Sequence, residues 1–212
     1  MIRKTILGAS VLLFTASAHA QVMAVPEAIA EVGVKIGGNF QKIASSPLNS
    51  GVGALAGVYI RKEIGKVGAR LEITGSMAQY ETKYPAAYYT TYTPGLDTTA
   101  TAKFQVIYIN VPLLFEYSPL PRLHLLLGPQ FSYIASVTEK NKVYSGIYGN
   151  NNILKKTDIS IVAGAEYSIK RKWQVGVRLV KGVTDVNNST YYLIHKPWTS
   201  IGGQVSISYR IL

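Results

Sequence analysis

Outside its first twenty residues the chain holds two histidines, His124 and His195, and it has no cysteine. These bound the nucleophilic chemistry open to it, because a hydroxyl attacks only with a base in hydrogen-bond reach. His195 has Ser189, Ser200 and Asp185 near it in sequence, the residue types of a Ser–His–acid constellation. His124 opens an alternating apolar stretch. The two are far apart and no run of acids accompanies either, so metal-ligand spacing is absent. The glycines are dispersed and form no phosphate-binding loop. Glu72, Glu116 and Glu166 could make a carboxylate site, but they fall in phase with Lys35, Arg70, Arg178 and Arg210. Opposite charges in one phase predict structural pairing. The expectation is therefore no catalytic residue, no cofactor and no metal, with those seven residues as an interior ion-pair network.

The elements that carry these residues have a period of two. Ile159-Ser160-Ile161-Val162-Ala163-Gly164-Ala165-Glu166-Tyr167 places apolar side chains at odd positions and mostly small or polar ones at even positions. A strand sorts such a pattern onto two faces, whereas a helix would scatter it. Eight such segments are predicted, at 31–40, 52–62, 66–80, 103–117, 122–138, 157–170, 172–186 and 198–212. Connections after the second, fourth and sixth are tight. Those after the first, third, fifth and seventh are long and polar. An even strand count with short turns alternating with long loops predicts an all-β, eight-stranded antiparallel up-and-down transmembrane barrel.

The N-terminus predicts the compartment. Arg3 and Lys4 precede an apolar core from Ile6 to Phe14, and Ala18-His19-Ala20 gives a small-x-small cleavage pattern. Residues 1–20 read as a cleaved signal peptide, 21–30 as a short N-terminal segment and 31–212 as the barrel domain. The apolar core is too short to span a bilayer as a helix, which takes about 20 residues. Export sets aside nucleic acid as the partner for a net charge of +11. Lys83, Lys140, Lys142, Lys155, Lys156 and Lys196 fall in the long loops, where they could meet lipopolysaccharide. Several strands exceed the 9–11 residues of a tilted span, which predicts hairpins continuing beyond the outer side of the membrane.

Which face meets lipid follows from the minority positions. They are Gly, Ser, Thr, Gln and charges of both signs, which suits a narrow polar lumen with the apolar face turned to lipid. Aromatic girdles are expected from Tyr59, Tyr117, Tyr167, Trp173 and Tyr209 at the tight-turn end. Phe40, Tyr80, Phe104, Tyr133 and Trp198 serve at the long-loop end. The loop from Glu81 to Ala102 carries Tyr84, Tyr88, Tyr89 and Tyr92, a surface that could bind a partner.

The chain resembles the PorT-like outer-membrane β-barrel family, small barrels of the OmpX/OmpA type. The resemblance rests on Gly33-Val34-Lys35-Ile36-Gly37-Gly38-Asn39, on Tyr108-Ile109-Asn110-Val111-Pro112-Leu113-Leu114, on Leu127-Gly128-Pro129 and on the Tyr209-Arg210 ending. It implies the cell outer membrane, with membrane lipids, lipopolysaccharide and the outer-membrane assembly machinery as partners. It also implies a possible surface or secretion-complex protein partner. The leading expectation is a non-enzymatic barrel with a side-chain-filled interior and interacting loops. The alternatives are an accessory component of a secretion complex and a lipid A-modifying enzyme using His195.

Overall fold

The computed structural model describes residues 30–46, 48–85, 99–140, 154–188 and 197–212. The expected signal peptide lies outside the described residues. The strands are β1 (Glu31–Ala44), β2 (Gly51–Ile64), β3 (Val67–Pro85), β4 (Thr99–Leu120), β5 (Leu123–Glu139), β6 (Thr157–Ser168), β7 (Trp173–Gly182) and β8 (Thr199–Arg210). Every neighbouring pair is antiparallel, and β1 closes on β8, so the sheet has no free edge. Closure is what lets strands stand in lipid, where an open edge would leave backbone groups unpaired.

The tight turns sit together at one end. Ile64 pairs with Val67, leaving Gly65-Lys66 as a two-residue loop. Gly65 has φ of 66°, the left-handed value that the first central residue of a type II′ hairpin turn requires and that glycine takes without strain. Proline shapes β3–β4 differently. Pairing is continuous to Leu71↔Leu113 and resumes at Thr74↔Asn110. The gap falls opposite Pro112, which has no N–H to give the ladder.

Alternation fills the barrel by parity. On β3, Arg70, Glu72, Thr74 and Ser76 point inward and are buried, while Leu71 and Ile73 are exposed on the outer wall. On β4, Leu113, Phe115 and Tyr117 face out while Asn110 and Glu116 face in. At the long-loop end the chemistry of the two faces exchanges. Gln79, Glu81 and Lys83 are exposed there. Ala78, Tyr80, Ala102, Phe104, Val106, Tyr108, Ile134 and Trp198 form a buried apolar cluster inside. The lumen is thus polar only in part. β3 and β4 have 19 and 22 residues, and where they leave the membrane they pack like a soluble barrel, apolar side inward.

That exchange corrects the expected girdles. Tyr117, Tyr167 and Trp173 are exposed at the tight-turn end, and Phe40 and Tyr133 at the other. Tyr209 is half-buried and meets Trp173 edge-on at 4.9 Å between ring centroids. Tyr59, Tyr80, Phe104 and Trp198 are buried instead. Their type suited an interface, but strand parity or docking at the barrel's outer end turned them inside.

Candidate functional site

Titratable side chains converge in the lumen toward the tight-turn end. Arg70 and Glu72 come from β3. Four others come from four different strands, and the register places a glycine across from each. Lys35 faces Gly57, Glu116 faces Gly68, Glu166 faces Gly176 and Arg178 faces Gly164. A Cβ on Gly176 would come within 2.6 Å of Glu166 Cγ, and one on Gly164 within 2.6 Å of Arg178 Cγ. At these two positions the missing Cβ is the space into which Glu166 and Arg178 fold.

The pairing is dense. Lys35 Nζ donates to both oxygens of Glu72 at 3.1 Å and lies 3.4 Å from Glu166. Arg178 forks onto Glu72 at 2.8 and 2.7 Å and also donates to Glu166 at 2.7 Å. Arg70 donates to Glu166 at 2.6 Å and lies 3.2 Å from Glu116. All six of these residues are buried. Such charges are tolerated in a low-dielectric interior because each has opposite charge at contact distance.

Arg210 stands apart from the other six. It is paired with Glu31 at the barrel mouth and is partly exposed. The link inward runs through Arg61, which the sequence reading missed. Arg61 lies 3.1 Å from Glu31, 2.6 Å from Glu63 and 3.0 Å from Glu116. Its signal was available, since it falls in phase with Gly53 and Gly57 and out of phase with apolar Val58 and Ile60. The ten residues Lys35, Arg61, Arg70, Arg178, Arg210, Glu31, Glu63, Glu72, Glu116 and Glu166 carry balanced charge. Asp158 was also missed. It accepts hydrogen bonds from Thr184 at 2.6 Å, Ser200 at 2.7 Å and Ser160 at 3.2 Å.

His124 lies at the tight-turn end, where the sequence put it, but in richer company. Its Nδ1 is 3.0 Å from Glu116 Oε1 and 2.8 Å from Ser118 Oγ. Its Nε2 is 3.1 Å from Ser168 Oγ. Acids do gather around it, contrary to expectation, because sheet register joins Glu63, Glu116 and His124 with ligand atoms within 4.8 Å of one another. Arg61 stands between the two carboxylates and opposes a cation there. The Ser168–His124–Glu116 chain has a nucleophile, base and orienting acid in sequence. Gln174 Nε2, the neighbouring amide donor, is bonded to Ser168 itself at 3.3 Å, where it anchors the hydroxyl.

At the outer end Asp185 holds the connection between β7 and β8. It accepts from Lys155 Nζ at 3.0 Å and from the backbone N–H of Asn187 and of Trp198 at 2.9 Å each. Partial desolvation raises its pKa, but these donors outweigh it and hold the carboxyl below the usual aspartate range. Lys83, Lys140 and Lys156 are exposed. His195, Ser189, Lys142, Lys196, Tyr88, Tyr89 and Tyr92 lie outside the described residues.

A family profile described as outer membrane protein beta-barrel domain matches residues 20–188. No curated protein matches the chain. Among solved structures it is similar to Neisserial surface protein A, at 10% identity and TM-score 0.48, covering 86% of this chain and 97% of that one. It is also similar to Ail, the attachment invasion locus protein of Yersinia pestis, at 13% identity and TM-score 0.45, covering 86% and 99%. OprG from Pseudomonas aeruginosa is similar at 10% identity and TM-score 0.41, covering 86% and 94%.

Proposed function

The chain belongs to the outer membrane protein beta-barrel domain family, and on that premise we propose that it is a non-conducting, non-enzymatic barrel whose interactions are made by its outer loops. The observation that carries this reading is the double closure of the lumen. Ion pairs from β1, β3, β6 and β7 cross it at one level. The apolar cluster around Phe104, Val106 and Tyr108 fills it at another. Eight strands enclose a space that side chains can fill, and here they do so with two chemistries.

With the lumen occupied, recognition falls to the outside. Lys83, Lys140 and Lys156 present exposed positive charge at the outer end, which supports anionic lipopolysaccharide as a contact. Lys155 is turned to Asp185. The Gly33–Asn39 and Tyr108–Leu114 segments support a place in the PorT-like branch of these barrels. The refolded full chain in planar bilayers should give no unitary conductance. Reproducible steps of one size from the folded, heat-modifiable species would overturn the reading.

A further inference from the structure

The tight-turn mouth of the barrel holds a cavity of about 500 Å³ that a sealed barrel with outer loops does not use. Lys66, Arg122, Lys170 and Arg171 line it, brought together by the three tight turns. The lining carboxylates are Glu31 and Glu63, and both are already held by Arg61 and Arg210. The four turn cations are left without a carboxylate partner among the described residues. A cleft lined by one sign of charge concentrates anions.

The inner wall adds a second demand. Gln174 lines the cavity, is only 7% exposed, and its Oε1 has no hydrogen-bond partner. A buried acceptor of this kind is costly until a donor meets it. Ser118, His124 and Ser168 beside it supply further polar atoms, held in place by their mutual hydrogen bonds. The wall thus asks for a donor while the rim asks for an anion.

We propose that this mouth binds a phosphate ester carrying a hydroxyl or ammonium group beside its phosphate. The turn cations take the phosphate oxygens in charge-assisted hydrogen bonds, and the neighbouring donor satisfies Gln174. The same chemistry is offered by a soluble periplasmic phosphate ester and by the headgroup of an inner-leaflet phospholipid. Exposed Tyr117, Tyr167 and Trp173 mark the interface at this end of the barrel, so either source can reach the mouth.

The test uses the full chain refolded in zwitterionic micelles, with sn-glycerol 3-phosphate followed by calorimetry. In parallel, nanodiscs of phosphatidylcholine with or without phosphatidylglycerol are followed by phosphorus NMR of the headgroup. Saturable binding in the first arm identifies the soluble source, and a saturable headgroup shift in the second identifies the lipid. R122Q/R171Q should weaken either by about tenfold or more, since two charged contacts are lost. K62Q/K172Q removes the same charge from residues outside the cavity and should change it less than about twofold. Unboiled gel mobility establishes that both variants are folded. Equal weakening by the two pairs, or no saturable binding in either arm, would overturn the proposal.

Discussion

Between the Tyr117 level and the Phe40 level, the lumen holds the ion pairs beside a small apolar cluster of Leu114, Leu126, Val162 and Val180, and the wall is apolar; beyond Phe40, the larger apolar cluster around Phe104 fills the lumen and the wall of β3 and β4 is polar. One pair of strands shows both regimes. On β4, Phe104, Val106 and Tyr108 are buried inside, and a few residues later Asn110 and Glu116 occupy the same inward face. Outward positions change in the opposite sense, from exposed Lys103 to exposed Leu113, Phe115 and Tyr117. β4 keeps its inward phase through the switch, although its pairing with β5 shifts register between Ile107 and Tyr108. The alternation of β4 is the same on both sides, so the solvent outside sets which chemistry each face carries. Lipid rewards apolar surface outside and leaves the lumen free to hold charge. Water outside reverses the preference and the lumen becomes the hydrophobic core.

The two regimes should fail differently when perturbed. Glu166→Leu removes a carboxylate that Lys35, Arg70 and Arg178 share. Leaving buried cations underpaired is expected to cost about 3–5 kcal/mol. Val106→Ala in the outer region loses two methylene equivalents and is expected to cost about 2 kcal/mol. Urea unfolding in micelles, read by unboiled gel mobility, measures both. A Glu166→Leu cost below that of Val106→Ala would erase the distinction.

The boundary can be located from outside. Leu113 is 55% exposed in the middle of the lipid-facing band, and Leu113→Lys is expected to cost about 2–4 kcal/mol. Gln79→Lys, on the outer wall beyond the switch, should stay within about 0.5 kcal/mol. Unfolding in lipid vesicles compares them. Similar costs would place Gln79 in the membrane as well.

The smallest effect concerns Asp185. Its folded pKa is depressed, so the stabilisation it gives is full above the ordinary value of 3.8 and is lost progressively as pH falls below it. Asp185 is half-buried but Lys155 is exposed, so solvent screens the pair, which is worth about 1 kcal/mol. The chain has two tryptophans, and in a Trp173→Phe background Trp198 reports alone. Its fluorescence should hold from neutrality to about pH 4 and change only below that range. Asp185→Asn should abolish that acid transition.

Much of the fold was legible because strand period, strand count and turn length are local properties. Parity also placed Lys35, Arg70, Glu72, Glu116, Glu166 and Arg178 on one face. Sequence could not say which of them touch, since Arg178 reaches Glu72 only through barrel closure and register. It missed Arg61, misjudged Arg210, and saw no cluster around His124, because Glu63, Glu116 and His124 meet across strands and not along one.

The sequence by itself determined a closed eight-stranded barrel, its antiparallel order and the face that carries charge, because alternation and turn chemistry act within a few residues. Only the tertiary structure decided where the two faces exchange character. It alone buried Trp198 at the outer end and gathered turn cations around one mouth. Those outcomes depend on the solvent outside each level of the wall and on which strands closure makes neighbours, and neither is written in the order of residues along one strand.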